Sequence, residues 1–349
     1  MTRRVKVGNT FIGGGAPVSV QTMLDVPSYD VEGNVGQALA VQAAGADILR
    51  VAVPDKDALK TLEAVKKAVS IPVVADIHFD YKLAIESVDR GADKIRINPG
   101  NIGGAEKVRA VIAKCAANGV AVRVGVNSGS LEKELLSKYG APTPEALCES
   151  ALNAVSLLEE LDFFNTVVSI KTSSVADTVK AYRLFSSQSD YPLHIGVTEA
   201  GTERTGVIRS SAALGSLLLD GIGDTLRVSL TASPVKEIQA GIEILKACGI
   251  RSGAQVISCP TCGRTRIDVK SLAEQTESML AGCKKPVKVA VMGCVVNGPG
   301  EAREADFGIT GGDGVGLVFK RGEIVEKVRE SELLDALLKY IKEYETKDE

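Results

Sequence analysis

The chain has no tryptophan, and its aromatic residues make up only 4% of it. Stacking platforms for single-stranded nucleic acid need aromatic side chains, so that class is excluded. Lysine and arginine (41) do not outnumber aspartate and glutamate (44). The formal net charge of -3 therefore offers no basic coat for nucleic acid. No apolar run is long enough to cross a bilayer. The start, Met1-Thr2-Arg3-Arg4-Val5-Lys6, is basic but lacks the apolar stretch of a secretion signal. These absences point to a cytoplasmic protein with no nucleic-acid or membrane partner. In a reducing compartment the seven cysteines are expected to be ligands or buried thiols rather than disulfides.

Hydrophobic residues make up 45% of the 349, enough for a full core. Eight β-branched runs alternate with helical patterns: 17–23, 47–53, 72–77, 93–97, 120–126, 165–170, 193–197 and 224–231. Glycine stops such as Gly45, Gly91 and Gly119 end helices before the next run. Eight βα units in this length predict a (β/α)8 TIM barrel over residues 1–247, with a doubly wound sheet as competitor. The break at 248–254 opens a second, α+β domain over 248–349. It is predicted to hold strands at 255–258 and 287–292, a helix at 271–281, a Gly-rich hairpin at 307–319 and a charged closing helix from about residue 331.

Catalytic groups of such barrels lie at the C-terminal ends of strands. Arg50, Asp76, His78, Arg96, Asn98, Arg123, Asn127, Lys171, Arg227 and Ser229 all fall in or just after those strands. Five of them are cations from five strands, without an equal set of carboxylates in the pattern. A buried cation is costly unless it meets an anion, and guanidinium forks suit phosphate oxygens. The mouth is thus expected to bind a diphosphate. Gly201-Thr202 and Ser210-Ser211 add donors near a helix start. Asp76 reads equally well as a brace for one arginine, and His78 as a structural histidine. His194, early in its strand, reads as structural. Glu199 is the acid–base candidate, because a carboxyl among apolar walls holds a proton near neutral pH.

Cys259-Pro260-Thr261-Cys262 is followed much later by Cys294 and Glu301. Structural zinc and most iron–sulfur clusters take four soft ligands. Three thiolates and one carboxylate instead suggest a metal centre with an exchangeable position. Cys283 competes as a ligand but sits in an exposed-looking turn, while Cys115, Cys148 and Cys248 fall in helical patterns as core residues. A zinc-stabilised binding module on a phosphate-binding barrel and a pteridine-binding methyltransferase barrel remain alternatives. Brown protein containing iron and sulfide would separate the cluster from zinc.

Ser258-Cys259-Pro260-Thr261-Cys262-Gly263-Arg264 and Met292-Gly293-Cys294-Val295-Val296-Asn297-Gly298-Pro299-Gly300-Glu301-Ala302 resemble the bacterial 4-hydroxy-3-methylbut-2-en-1-yl diphosphate synthase family. So do Val18-Ser19-Val20-Gln21-Thr22-Met23, Ala75-Asp76-Ile77-His78-Phe79, Arg96-Ile97-Asn98-Pro99-Gly100-Asn101 and Gly221-Ile222-Gly223-Asp224-Thr225. The resemblance implies an enzyme of non-mevalonate isoprenoid synthesis. It implies two-electron reduction of 2-C-methyl-D-erythritol 2,4-cyclodiphosphate, with loss of water. It further implies a 4Fe-4S cluster on Cys259, Cys262, Cys294 and Glu301, with Asn297 near the substrate. Flavodoxin or ferredoxin would supply the electrons. The enzyme would be a homodimer in which one subunit's cluster domain closes over the other's barrel.

Overall fold

A computed structural model describes residues 1–281, 283, 285–294, 300 and 302–346. The chain divides into two compact units, Met1–Ile250 and Arg251–Glu349. Among the described residues no helix is long and apolar enough to cross a membrane.

The first unit opens with a hairpin that the strand pattern does not foretell, β1 (Val5–Val7) paired with β2 (Thr10–Ile12). Eight parallel strands follow: β3 (Ser19–Met23), β4 (Ile48–Ala52), β5 (Val73–Asp76), β6 (Lys94–Ile97), β7 (Ala121–Asn127), β8 (Thr166–Lys171), β9 (His194–Ile195) and β10 (Thr225–Leu226). They are ordered β8-β7-β6-β5-β4-β3-β10-β9. A parallel bridge from Val168 to Leu193 brings the two ends of that order together. This is the expected barrel rather than an open sheet. The last two strands are shorter than predicted, because the chain leaves the ladder for loops that carry Glu199 and Ser229.

Several helices between strands start on side-chain caps. Asp30 accepts from the Gly33 N–H (2.9 Å), Asp80 from Lys82 (2.9 Å) and Ser174 from Asp177 (3.2 Å). Strand alternation then creates two environments. Leu49, Val51, Ile95, Ile97, Val122 and Val124 point outward into one core shared with the helices. The intervening residues face the lumen, and most of them are polar. At the lumen floor Ile48, Val74, Ala121 and Val167 pack on Val5, Val7 and Ile12 of the hairpin. The hairpin therefore stoppers the N-terminal end of the barrel.

The second unit is a five-stranded sheet in sequence order: β11 (Gln255–Ser258), β12 (Lys288–Met292), β13 (Phe307–Gly312), β14 (Val315–Lys320) and β15 (Glu323–Arg329). The first three run parallel, and the last two pairings are antiparallel. Helices Val269–Leu280 and Leu333–Thr346 supply Val269, Ala273, Leu333 and Leu337 to a core with Val289 and Ile309. The expected α+β character holds. Strand β15 escapes prediction because it is a largely exposed edge carrying Glu323, Glu326, Lys327 and Arg329, the charged composition that blunts edge pairing.

Candidate active site

Asp76 ends β5 and is the hub of the barrel mouth. Its carboxylate lies 3.8 Å from Arg50 Nε, 3.4 Å from Arg96 Nη1 and 3.4 Å from His78 Nε2. Burial alone would push this carboxyl up. The charge of Arg50, the His78 hydrogen bond and the charges of Arg96 and Arg123 outweigh burial and hold it well below the usual carboxylate range. Asp76 thus braces two arginines, where the sequence suggested one.

The cations are short of good acceptors. Arg50 donates from Nε and Nη2 to the thioether of Met23, at 3.0 and 2.8 Å, and a thioether is a weak acceptor. Burial pushes the Arg50 guanidinium down to about 10, against the pull of Asp76. Arg123 is 1% exposed, and its Nε and Nη1 have no partner among the described residues. Lys171, at the end of β8, is pushed well below the usual lysine value, first by burial and then by Arg123, Arg50, Arg227 and Arg96. With its amide turned to satisfy both neighbours, Asn127 accepts from Arg96 Nη2 at 3.2 Å. Asn98 donates to Ser130 Oγ at 3.1 Å. Ser229, two residues past Arg227, is half-buried.

Arg227 differs from the rest. Its Nε and Nη2 both donate to Glu237 at 3.1 Å, and Glu237 also accepts from Thr22 Oγ1 and the Leu230 N–H. The sequence pattern missed Glu237. It comes from helix Pro234–Ala247, where nothing in the spacing marks it. The strand pattern thus shows one carboxylate too few, though the cations still lack an equal set. Two buried carboxylates, Asp76 and Glu237, face four arginines. Lys94 was also missed. It is fully buried in β6, two residues before Arg96 and on the same face.

Glycine 125 makes room for the cluster. A Cβ there would stand 2.9 Å from Arg96 Nε and 3.1 Å from Nη2. Gly125→Ala is expected to fold normally, since a guanidinium tip can shift. It should weaken diphosphate binding by about 10- to 100-fold by displacing Arg96. Calorimetric titration checks this, and wild-type affinity would show that Arg96 is not placed for the ligand.

Glu199 lies in the loop after β9 and is exposed. Among the described residues no apolar walls enclose it, because the loop has already left the packed strand. Its backbone is nonetheless left-handed, with φ 54°. A non-glycine residue pays about 1–3 kcal/mol for such a conformation, and these residues cluster at functional sites. Ser210 and Ser211 lie inside helix Glu203–Leu219 rather than at its start. Gly201 and Thr202, the N-cap, keep the expected place at the helix start.

In the second unit the parallel pair β11 and β12 aligns Ser258 with Val291. Cys259, next after β11, and Cys294, two residues past β12, consequently emerge at the same end of the sheet. The Gly293 N–H donates to Cys259 Sγ at 3.1 Å. A Cβ on Gly293 would lie 2.9 Å from Val269 Cγ2 and 3.1 Å from Thr265 Cγ2. The turn after Cys262 therefore presses against this position, and the Arg266 N–H donates to the Gly293 carbonyl at 2.9 Å. Hydrogen bonds from the Arg264 backbone and then its side chain pull the exposed Cys262 thiol down.

Among the described residues, no three His, Cys, Asp or Glu side chains come close enough to hold a metal ion. The backbone brings the three cysteines to one sheet end, but the thiols are not gathered into one ligand set. Their donor chemistry, with an N–H already on one sulfur and a lowered thiol on another, fits an iron–sulfur centre. Asn297 and Glu301 lie outside the described residues. Cys115 and Cys148 are buried in helices, and burial pushes Cys115 up to about 12. Half-buried Cys283 contacts the Lys285 carbonyl at 3.7 Å.

The model of the GcpE TIM-barrel domain matches residues 2–242, and that of the GcpE protein C-terminal domain matches residues 255–343. The chain belongs to the GcpE family. It is 56% identical to a protein of Caldanaerobacter subterraneus subsp. tengcongensis over 98% of this chain and 96% of that one. It is 55% identical to one of Clostridium perfringens over 97% and 98% respectively. Both relatives are named 4-hydroxy-3-methylbut-2-en-1-yl diphosphate synthase (flavodoxin), the family that the motifs indicate. Among solved structures, dihydropteroate synthases of Xanthomonas albilineans (TM-score 0.50, 15% identity, 71% of this chain and 99% of that one) and Coxiella burnetii (0.50, 13%, 70% and 97%) share the barrel fold. At that identity the likeness concerns the fold alone.

Proposed function

We propose that this GcpE family member is an oxidoreductase that converts 2-C-methyl-D-erythritol 2,4-cyclodiphosphate to (E)-4-hydroxy-3-methylbut-2-en-1-yl diphosphate. It would take electrons from flavodoxin, the donor in its relatives' names, or from ferredoxin, and act as a cytoplasmic homodimer. One observation carries the substrate class: among the described residues the mouth gathers Arg50, Arg96, Arg123 and Arg227 against the two carboxylates Asp76 and Glu237. With Lys171 beside them, the positive groups outnumber these carboxylates, and that surplus suits the cyclic diphosphate dianion. Such a ligand also supplies the oxygen acceptors that Arg50 and Arg123 lack.

The reaction takes up two electrons. The ring C–O bond to phosphate and one C–OH bond break, a C=C bond forms, and a proton turns the departing hydroxyl into water. A 4Fe-4S cluster held by Cys259, Cys262, Cys294 and Glu301 would supply single electrons and a Lewis-acidic iron. The chain's own residues have separate tasks. Arg50, Arg96, Arg123, Lys171 and Arg227 hold the diphosphate, and Asp76 fixes the first two of them. His78, Asn98, Asn127, Ser229 and Asn297 complete the polar contacts to substrate. Glu199, held on a strained loop, gives the proton to the leaving hydroxyl.

Glu199→Gln should keep iron content and substrate affinity while turnover falls by about 10²- to 10⁴-fold. Turnover at the normal rate would remove Glu199 from the mechanism. The reading as a whole is tested by anaerobic incubation of the cyclic diphosphate with the iron-loaded protein and a chemical reductant. The linear product should appear. Its absence, with iron and sulfide present, would overturn the assignment.

A further inference from the structure

The proposed reaction gives Glu237 no task, yet its surroundings are built around it. The side chain is 2% exposed and sits in the first turn of helix Pro234–Ala247, a helix end that favours negative charge. Oε1 accepts from Arg227 Nη2 (3.1 Å) and the Leu230 N–H (2.9 Å). Oε2 accepts from Arg227 Nε (3.1 Å) and from Thr22 Oγ1. All four of its lone-pair sites thus receive donors, the pattern of an ionised carboxylate. Glutamine in its place cannot rebuild this fork. Whichever oxygen becomes the amide nitrogen, that nitrogen meets an Arg227 N–H.

Two consequences follow for Arg227. Its Nε and Nη2 are engaged, and Nη1, 3.9 Å from the Met23 thioether, is the group left for a phosphate oxygen. Its charge is also matched by a carboxylate at hydrogen-bonding distance, and the field of that carboxylate reaches Arg50 as well. Charge is what the proposed reaction changes. Each phosphate of the ring carries one negative charge. Breaking the ring C–O bond leaves a terminal phosphate whose second ionisation lies at about pH 6, so the linear product gains a third charge above that pH. A mouth of unmatched guanidinium groups would hold the product more tightly than the substrate.

We propose that Glu237 is a specificity-determining residue: its buried charge, fixed on Arg227, makes the mouth prefer the doubly charged cyclic diphosphate to the triply charged linear one. This role rests on the proposed reaction, but its test needs no turnover. Both diphosphates are titrated calorimetrically, at about pH 8, into the iron-loaded protein without reductant. In Glu237→Gln the affinity for the linear compound relative to the ring should rise about 10-fold. That is the effect of one unit charge on another across about 12 Å at an effective dielectric of about 20. A carboxylate that only supports the fold would cost both ligands alike, so an unchanged ratio overturns the proposal. Should Glu237→Gln not fold, the unsubstituted protein decides. It must hold the ring at least as tightly as the linear compound, despite the smaller charge, and tighter binding of the linear compound overturns the proposal. If the unsubstituted protein binds neither, the diphosphate site falls and the role of Glu237 with it. If it binds the ring and the ratio does not move, only the role of Glu237 falls.

Discussion

Cys294→Ser, purified without oxygen, is expected to emerge nearly colourless and stripped of most iron, with turnover reduced at least about 100-fold. Its far-ultraviolet circular dichroism should match that of the parent protein. The argument rests on where the residue sits. Cys294 lies two residues beyond β12 and outside the buried clusters of its unit, so serine removes the proposed ligand without opening a cavity. Cys283→Ser provides the contrast. Cys283 packs against the apolar core after helix Val269–Leu280, and its replacement should leave iron content unchanged. Iron bound normally by Cys294→Ser but lost from Cys283→Ser would exchange their roles.

The second large effect is expected at Arg123. Arg123→Met should weaken binding of the cyclic diphosphate by about 10²- to 10³-fold, as truncating a buried charge partner does. The same substitution should leave the melting point of the ligand-free protein unchanged or raise it slightly. It removes a buried cation whose Nε and Nη1 have no partner among the described residues and whose neighbours Arg50 and Arg96 repel it, and well-packed apolar replacements of such charges are often stabilising. Calorimetry and thermal unfolding together decide. Unchanged affinity would refute the anion site, and a large drop in melting point would make Arg123 a structural residue.

Much of this could be read from the chain alone, for identifiable reasons. The barrel is legible because its strands alternate with capped helices and its glycine stops fall between them. The mouth is legible because charged residues interrupt strands otherwise made of valine and isoleucine. Lys94 was open to the same reasoning: in Lys94-Ile95-Arg96-Ile97, a period of two puts both cations on one face. Glu237 was not, because its partnership with Arg227 depends on how a helix lies against the barrel. The environment of Glu199 was misjudged because an exposed loop and a packed strand end look alike in sequence. The hairpin β1–β2 is too short to stand out, and β15 too charged to look like a strand.

That hairpin has a consequence for traffic. With Val5, Val7 and Ile12 corking one end, the barrel is a vessel closed at its base and entered from the mouth. Whatever lodges deepest must arrive first and depart last, and spent diphosphate must clear the threshold before a fresh molecule can settle. Added linear diphosphate is therefore expected to compete with the cyclic one, which initial-rate measurements would check.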